Sequence, residues 1–168
     1  MKTKPNSPYY SHITSEIHES ARIGEGSKIW NYSQIRENVV IGKNCILGKN
    51  VYIDFGVTIG DNVKIQNNCS IFHGTTIENG VFIGPHVVFT NDKYPRAINT
   101  DGSLKGDSDW KVGKITVKSG ASVGAGSIIL PDVTIGSNSM VGAGSVVTRD
   151  VDGGTLVYGN PARLQQSE

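Results

Sequence analysis

Residues 38–69 read NVVIGKNCILGKNVYIDFGVTIGDNVKIQNNC, and the spacing inside this stretch decides the fold. Ile41, Leu47, Ile53, Ile59 and Ile65 recur at every sixth position, and two places before each stands a smaller residue: Val39, Cys45, Val51, Val57 and Val63. Six is neither the period of a helix nor the plain alternation of a strand. Residues two apart in a strand face the same way, so each large and small pair points into one narrow core.

The beat extends in both directions. It starts at Ile17, passes through Ile23, Ile29 and Ile35, and continues after this stretch through Ile71, Ile77, Ile83 and Phe89, thirteen in succession. In a chain that is 37% apolar, such a run arises by chance on the order of a few times in a million. The smaller slots hold Ser15, Ala21, Ser27, Ser33, Cys69, Thr75, Val81 and Val87. A second run joins Val117, Val123, Ile129, Ile135, Val141 and Val147, with Ala121, Ser127, Val133, Ser139 and Ser145 in the small slots. Positions 89 and 117 differ by 28, which is not a multiple of six, so chain has been inserted between the runs. Self-similarity of this kind predicts a solenoid of short parallel strands.

Bulk properties narrow the function. A net charge of +1 with 18% charged residues gives no basic patch for nucleic acid. No apolar run reaches the ~20 residues of a membrane span, and MKTKPNSPYYSHITSE lacks the apolar core of a secretion signal, so a soluble cytoplasmic protein is expected. The two cysteines, Cys45 and Cys69, have no C-x-x-C spacing and both occupy the small slot, which reads as buried packing. With 21 glycines and 7% aromatics, the chain is expected to have many tight corners and a core without large rings.

At 168 residues the chain is read as one domain: first coils over 13–91, an inserted loop over 92–116, last coils over 117–152 and a C-terminal exit over 153–168. The insertion is polar apart from Tyr94, Ile98, Leu104, Trp110 and Val112. A loop this long in a compact domain is more often functional than accidental.

These nineteen hexapeptides, spread over residues 13 to 164, resemble the hexapeptide-repeat acyltransferases. The resemblance implies a left-handed parallel β-helix of about six coils, three hexapeptides to each triangular coil. The handedness, opposite to the usual parallel crossover, follows from the resemblance alone. Residues 18 apart then lie above one another at the roughly 4.8 Å spacing of strands. Ile17, Ile35, Ile53, Ile71 and Phe89 share a face, and the corner after it stacks Glu37, Phe55, His73 and Asn91. The face of Ile29, Leu47, Ile65 and Ile83 precedes another corner, built from Trp30-Asn31-Tyr32, Gly48-Lys49-Asn50, Gln66-Asn67-Asn68 and Gly84-Pro85-His86. With the insertion excised, that corner continues as Gly124-Ala125-Gly126 and Gly142-Ala143-Gly144, a track of bare backbone.

The track resembles the acetyl-coenzyme A path of the family, where pantetheine runs along the coils at a subunit boundary. By that resemblance Gly84, Gly124, Ala125, Gly126, Gly142 and Ala143 line the coenzyme, His86 stands by the thioester, and Lys118, Arg149 or Arg163 meets its phosphates. Each of these basic residues reads equally well as a solvated surface cation. The segment Tyr158 to Arg163 is similar to the family's C-terminal exit.

Within the family, Lys64 to Asn68, Gly80 to Pro85, Phe89 to Asp92, Tyr94-Pro95-Arg96 and Asp109-Trp110-Lys111 resemble enzymes that acetylate nucleotide-linked amino sugars. Those enzymes act especially on 3-amino sugars of bacterial cell-surface glycans carried on UDP or dTDP. The resemblance puts Asn91 and Asp92 against the amino sugar and includes Asn67 among the substrate contacts. Asn and Asp also suit turns in their own right. His73 departs from the acidic residue common at its position; an imidazole with an ordinary pKa near 6.5 suits a general base, with Asn91 orienting it or holding substrate. Arg36 is the candidate for the pyrophosphate, with Phe55 or Phe72 flanking a base or sugar. A closed homotrimer with sites at subunit boundaries is the expected assembly.

Three other readings compete. Relatives that acetylate a sugar or serine hydroxyl place a histidine before a proline in the inserted loop, whereas Tyr94 precedes Pro95 here. A metal enzyme like the γ-class carbonic anhydrases needs three converging histidines, and no metal is expected. An ice-binding solenoid wants regular threonine rows and no polar insertion, and the sequence suggests neither.

Overall fold

Two residues of strand and four of corner make the usual repeating unit, and in each the large residue that ends the strand points inward together with the small residue two places before it. In the computed structural model, which describes residues 7–165, twenty-two short strands form three sheets of nine, seven and six strands. Pairing is parallel and 18 residues apart: Ile29 opposite Leu47, Ile35 opposite Ile53 and Ile41 opposite Ile59. Successive strands therefore lie on successive faces of a three-sided solenoid. No helix among the described residues is long and apolar enough to cross a membrane.

Corners recur every six residues because one position in each must take a left-handed backbone conformation. Asn38, Asn44, Asn50, Asn62 and Asn68 hold φ between 56° and 61°, and glycine fills the corresponding place at Gly56, Gly126 and Gly144. Asn and Gly are the residues that tolerate this region at least cost.

The core is a single column of the large aliphatic residues, Ile29 through Ile83 and Val117 through Val147, nearly all at 0–2% exposure. Each fully buried aliphatic side chain contributes about 1.5–3 kcal/mol relative to an exposed one. Small slots that hold serine stay dry by donating to a corner carbonyl: Ser27 Oγ to Gly42 O at 2.9 Å and Ser33 Oγ to Gly48 O at 2.8 Å. The cysteines do the same, Cys45 Sγ to Gly60 O at 3.1 Å and Cys69 Sγ to Gly84 O at 3.0 Å. Both are free and buried.

Across the insertion the register is 40 instead of 18, with Ile77, Ile83 and Phe89 opposite Val117, Val123 and Ile129. Twenty-two residues are therefore extra (40 − 18), and the stack resumes on the next face. The chain re-enters the sheet with the strand Ile115–Val117.

Two expectations change. The longest face is eight parallel strands deep, so the solenoid has about eight turns and not six. The additional turns are hidden in the sequence because Ser11 sits opposite Ile29 where an aliphatic residue is expected, and because the last pairings, Ile135 with Val151 and Val141 with Val157, are 16 apart. A threonine row also forms: Thr58, Thr76, Thr116 and Thr134 stand in register on the outer surface of the six-stranded face. It is a single rank, flanked by the Glu78–Lys118 ion pair and interrupted by no second rank of threonines.

Candidate active site

The corner after the seven-stranded face stacks Phe55, His73 and Asn91. The His73 imidazole lies flat on the Phe55 ring, centroids 4.0 Å apart and planes 14° from parallel. Its Nδ1 is 2.8 Å from Phe55 O. A carbonyl only accepts, so the neutral ring carries its proton on Nδ1 and leaves the Nε2 lone pair uncommitted. Above it, Asn91 Nδ2 donates to His73 O at 3.3 Å.

Beneath this stack sits Asp54, 8% exposed. Its Oδ1 accepts from Tyr52 Oη and the Phe55 N–H, each at 2.9 Å, and its Oδ2 accepts from the His73 N–H at 3.2 Å. Arg36 Nη1 is 3.7 Å from Asp54 Oδ1 and 3.2 Å from Tyr52 Oη, while its Nε donates to Glu37 at 2.7 Å. The Glu37 hydrogen bond, then the Tyr52 one, holds the Arg36 guanidinium more firmly protonated than usual, and Arg36 in turn lowers the Glu37 carboxyl. Burial, before any other cause, pushes the Tyr52 phenol up. Phe72 packs on Tyr52 with centroids 5.7 Å apart. Asp54 and Tyr52 were missed from sequence. The signal was available, since Arg36, Asp54 and Phe72 are 18 apart and a buried carboxylate one coil from an arginine is a readable pair.

The track forms on the corner after the nine-stranded face. Gly126 N–H donates to Pro85 O and Gly144 N–H to Ala125 O, both at 2.8 Å, so the three turns Gly84-Pro85-His86, Gly124-Ala125-Gly126 and Gly142-Ala143-Gly144 lie one above another. The glycines are of two kinds. A Cβ at Gly84, Gly124 or Gly142 would fall 2.6 Å from Ala125 N, 2.4 Å from Ala143 N or 2.7 Å from Tyr158 Cβ, so coil stacking alone explains these three. A Cβ at Gly126 or Gly144 would meet nothing within 4 Å. Below them a side-chain ladder, Asn50 to Asn68 at 3.1 Å and Asn68 to His86 Nε2 at 3.2 Å, fills the corresponding places and ends at His86. The edge becomes bare where the ladder stops.

Other candidates fall elsewhere. Asn67 lies on the track corner, not beside His73, and its Oδ1 accepts the Lys49 N–H at 2.8 Å. Lys118 is on the third edge, where its Nζ meets Glu78 Oε1 at 2.9 Å. Arg163 is exposed in the strand Ala162–Leu164, which closes the nine-stranded face in antiparallel sense. Within one chain, then, His73, Asn91, Arg36, Phe55 and Phe72 share one edge, and the bare track with His86 occupies another.

The inserted loop leaves directly after Asn91. Its stem is closed by Gly113 N–H donating to Asn91 O at 2.8 Å, and Ile98 bridges Leu104 in an antiparallel tip. Asp109 ties the arms together by accepting from Gly106 N–H at 2.8 Å and Asn99 Nδ2 at 3.2 Å, which lowers its carboxyl. Between the loop and the next corner is a cavity of about 380 Å³ with Asp92 in its wall. Among the described residues, no three His, Cys, Asp or Glu side chains gather as a metal site would require.

Comparison with known proteins bears on this architecture. The family model described as bacterial transferase hexapeptide (six repeats) matches residues 20–54, 56–91 and 114–149, and hexapeptide repeat of succinyl-transferase matches 38–73. Among solved structures, a variant of GDP-perosamine N-acetyltransferase from Caulobacter crescentus, in complex with CoA and GDP-perosamine, is 19% identical with a TM-score of 0.56 over 95% of this chain and 57% of that one. The acetyltransferase domain of PglB from Neisseria gonorrhoeae, in complex with acetyl coenzyme A, is 19% identical with a TM-score of 0.58 over 94% and 58%. A hexapeptide-repeat-containing acetyltransferase from Vibrio cholerae is 26% identical with a TM-score of 0.61 over 87% and 73%. The chain thus spans little more than half the length of the first two. No curated protein matches the chain by sequence. The repeat match covers more than half of the residues, and the chain belongs to the bacterial transferase hexapeptide family.

Proposed function

We propose that this chain is an acetyl-CoA-dependent N-acetyltransferase whose acceptor is the amino group of a nucleotide-linked amino sugar. A 3-amino-3-deoxy sugar on UDP or dTDP, destined for a cell-surface glycan, is the substrate its motifs favour. The observation that carries the reading is the fixed His73 ring, with Nδ1–H committed to Phe55 O and Nε2 left as a base, at the entrance to the loop that holds Asn91 and Asp92.

The chemistry asks little of that base. An amine with a pKa of about 8 is already partly neutral at pH 7, and a thiolate of pKa near 8.5 leaves readily. The amine nitrogen attacks the thioester carbonyl, the C–S bond breaks, and the ammonium proton passes to His73 Nε2 while coenzyme A departs as thiolate. Positioning and an oxyanion donor contribute most. On the track, Gly84 N–H is already bonded to Val123 O at 2.8 Å, which favours Ala125 over Gly84 as the oxyanion donor.

His73 and Ala125 stand on different edges of the same chain. A site that uses both needs two copies, and this supports a homotrimer with sites at its boundaries. The Caulobacter enzyme, in complex with CoA and GDP-perosamine, and the Neisseria domain, in complex with acetyl coenzyme A, support the substrate pair. Incubation with acetyl-CoA and a panel of UDP-, dTDP- and GDP-linked 3-amino and 4-amino sugars, followed by thiol release and product mass, tests the reading. Release with a hydroxyl acceptor and with no amine overturns it.

A further inference from the structure

Three cations in the inserted loop stand outside any close ion pair among the described residues. Lys93, Lys105 and Lys111 line the 380 Å³ cavity together with Tyr94 and Trp110. Two carboxylates share the wall, and both already accept backbone donors: Asp92 Oδ1 from Tyr94 N–H at 2.9 Å and Asp132 Oδ1 from Lys114 N–H at 3.2 Å. Three ammonium groups thus meet two carboxylates in the wall itself; a third carboxylate, Asp109, is near enough to Lys105 to feel its charge but lies outside the wall and is tied to Gly106 N–H and Asn99 Nδ2.

The loop is built to hold this shape. The Ile98–Leu104 bridge, the Lys105 N–H to Ala97 O bond at 3.1 Å and the Asp109 tie to Gly106 and Asn99 close the arm that carries Lys105 and Trp110 to the cavity wall. Its stem presses on the solenoid so tightly that a Cβ at Gly113 would lie 2.3 Å from Pro131 Cβ, and one at Gly74 would lie 2.6 Å from Gly113 O. A cavity of this volume falls in the range of small-molecule sites. Trp110 and Tyr94 offer aromatic faces for a base, and the lysines offer point charges for phosphates.

We infer that the cavity beneath the inserted loop is a nucleoside diphosphate site. The inference rests on the proposed acetyl transfer for its place in the reaction: Asp92 belongs to both the cavity wall and the predicted amino-sugar contact, so a diphosphate here has its sugar directed toward Asn91 and His73. Arg36, the residue the sequence offers for the pyrophosphate, is divided among Glu37, Tyr52 and Asp54 and braces the His73 corner instead. Nucleotide sugars and coenzyme A both contain a nucleoside diphosphate, and the test separates them.

The chain has two tryptophans, Trp30 and Trp110, so Trp30→Phe leaves Trp110 as the sole reporter. Its fluorescence is titrated with UDP, dTDP and GDP, separately with coenzyme A and 3′,5′-ADP, and with inorganic pyrophosphate. Saturable quenching by a nucleoside diphosphate, weakened by salt, assigns the cavity to the sugar nucleotide; quenching by the coenzyme and 3′,5′-ADP alone assigns it to coenzyme A. No quenching by either, or equal quenching by pyrophosphate, overturns the nucleoside diphosphate site.

Lys105→Gln with Lys111→Gln should weaken binding by about tenfold or more, while Lys43→Gln on another edge leaves it unchanged. In turnover the double variant should raise KM for the nucleotide sugar and spare kcat. Nucleotide binding without acetyl transfer sinks the proposed activity and leaves this site standing. Acetyl transfer with unaltered KM in the double variant does the reverse.

Discussion

His73 and Phe55 are eighteen residues apart in sequence and one coil apart in space, with their rings in flat contact at 4.0 Å and the His73 Nδ1 bonded to the Phe55 carbonyl at 2.8 Å. The side chain has neither a free rotation nor a free tautomer. Replacing it tests whether the base is needed: His73→Ala should lower kcat by ~10²- to 10⁴-fold with little change in the KM for acetyl-CoA. Phe55→Leu keeps the carbonyl and removes only the platform, so its loss should be smaller. A drop of less than about tenfold in His73→Ala would leave proton removal to water, to Asp92 or to the departing sulfur.

The two kinds of track glycine predict opposite outcomes. Gly124→Ala drives a methyl to 2.4 Å from the Ala143 backbone and should cost roughly 1–3 kcal/mol in denaturant unfolding, as overpacking does. Gly126→Asn has open space around it, and Asn already holds the same backbone conformation at Asn50 and Asn68. That variant should fold normally yet bind acetyl-CoA several-fold more weakly, because a side chain then stands on the track. Unchanged affinity in both Gly126→Asn and Gly144→Asn would remove the coenzyme from this edge.

On the third edge, Glu78 accepts from Lys118 Nζ and from the Ser119 amide and hydroxyl, and these bonds, Lys118 first, lower its carboxyl below the ordinary value. A carboxyl lowered by folding stabilises the protein fully above its unfolded pKa, and that contribution disappears as pH falls through the lowered folded value. Thermal unfolding followed from neutral to acid pH should therefore show a steeper acid decline than Glu78→Gln does. The difference should be modest, since the pair is partly exposed, and parallel curves would show that the pair contributes nothing.

Burial pushes the thiols of Cys45 and Cys69 up, and both are at 0–1% exposure. In the native protein neither should react with a thiol reagent on the timescale of an enzyme assay, whereas both should titrate in denaturant. Rapid native labelling would contradict the packed small slot.

The six-residue beat made the solenoid legible because burial of one large and one small residue per strand leaves no freedom in phase. It also made the 18-residue stack and the continuation of the track across the insertion legible, since Ile83 must pair with Val123 for both runs to share one core. Turn number was less legible. The terminal turns break the pattern, with Ser11 in an aliphatic place and two residues missing from the last repeat, so counting beats undercounts the stack.

What the sequence by itself determined is periodic: which residues face inward, which stack, and where the stack is interrupted, all consequences of a side-chain alternation that a single strand already carries. What only the tertiary structure decided is the state of individual polar groups at the corners. Asp54 became the buried anchor of His73, Arg36 became a brace, Gly84 gave its amide to Val123, and Lys93, Lys105 and Lys111 came to face one cavity. Those outcomes depend on hydrogen bonds between coils and on the path of a loop with no period, and local pattern contains neither.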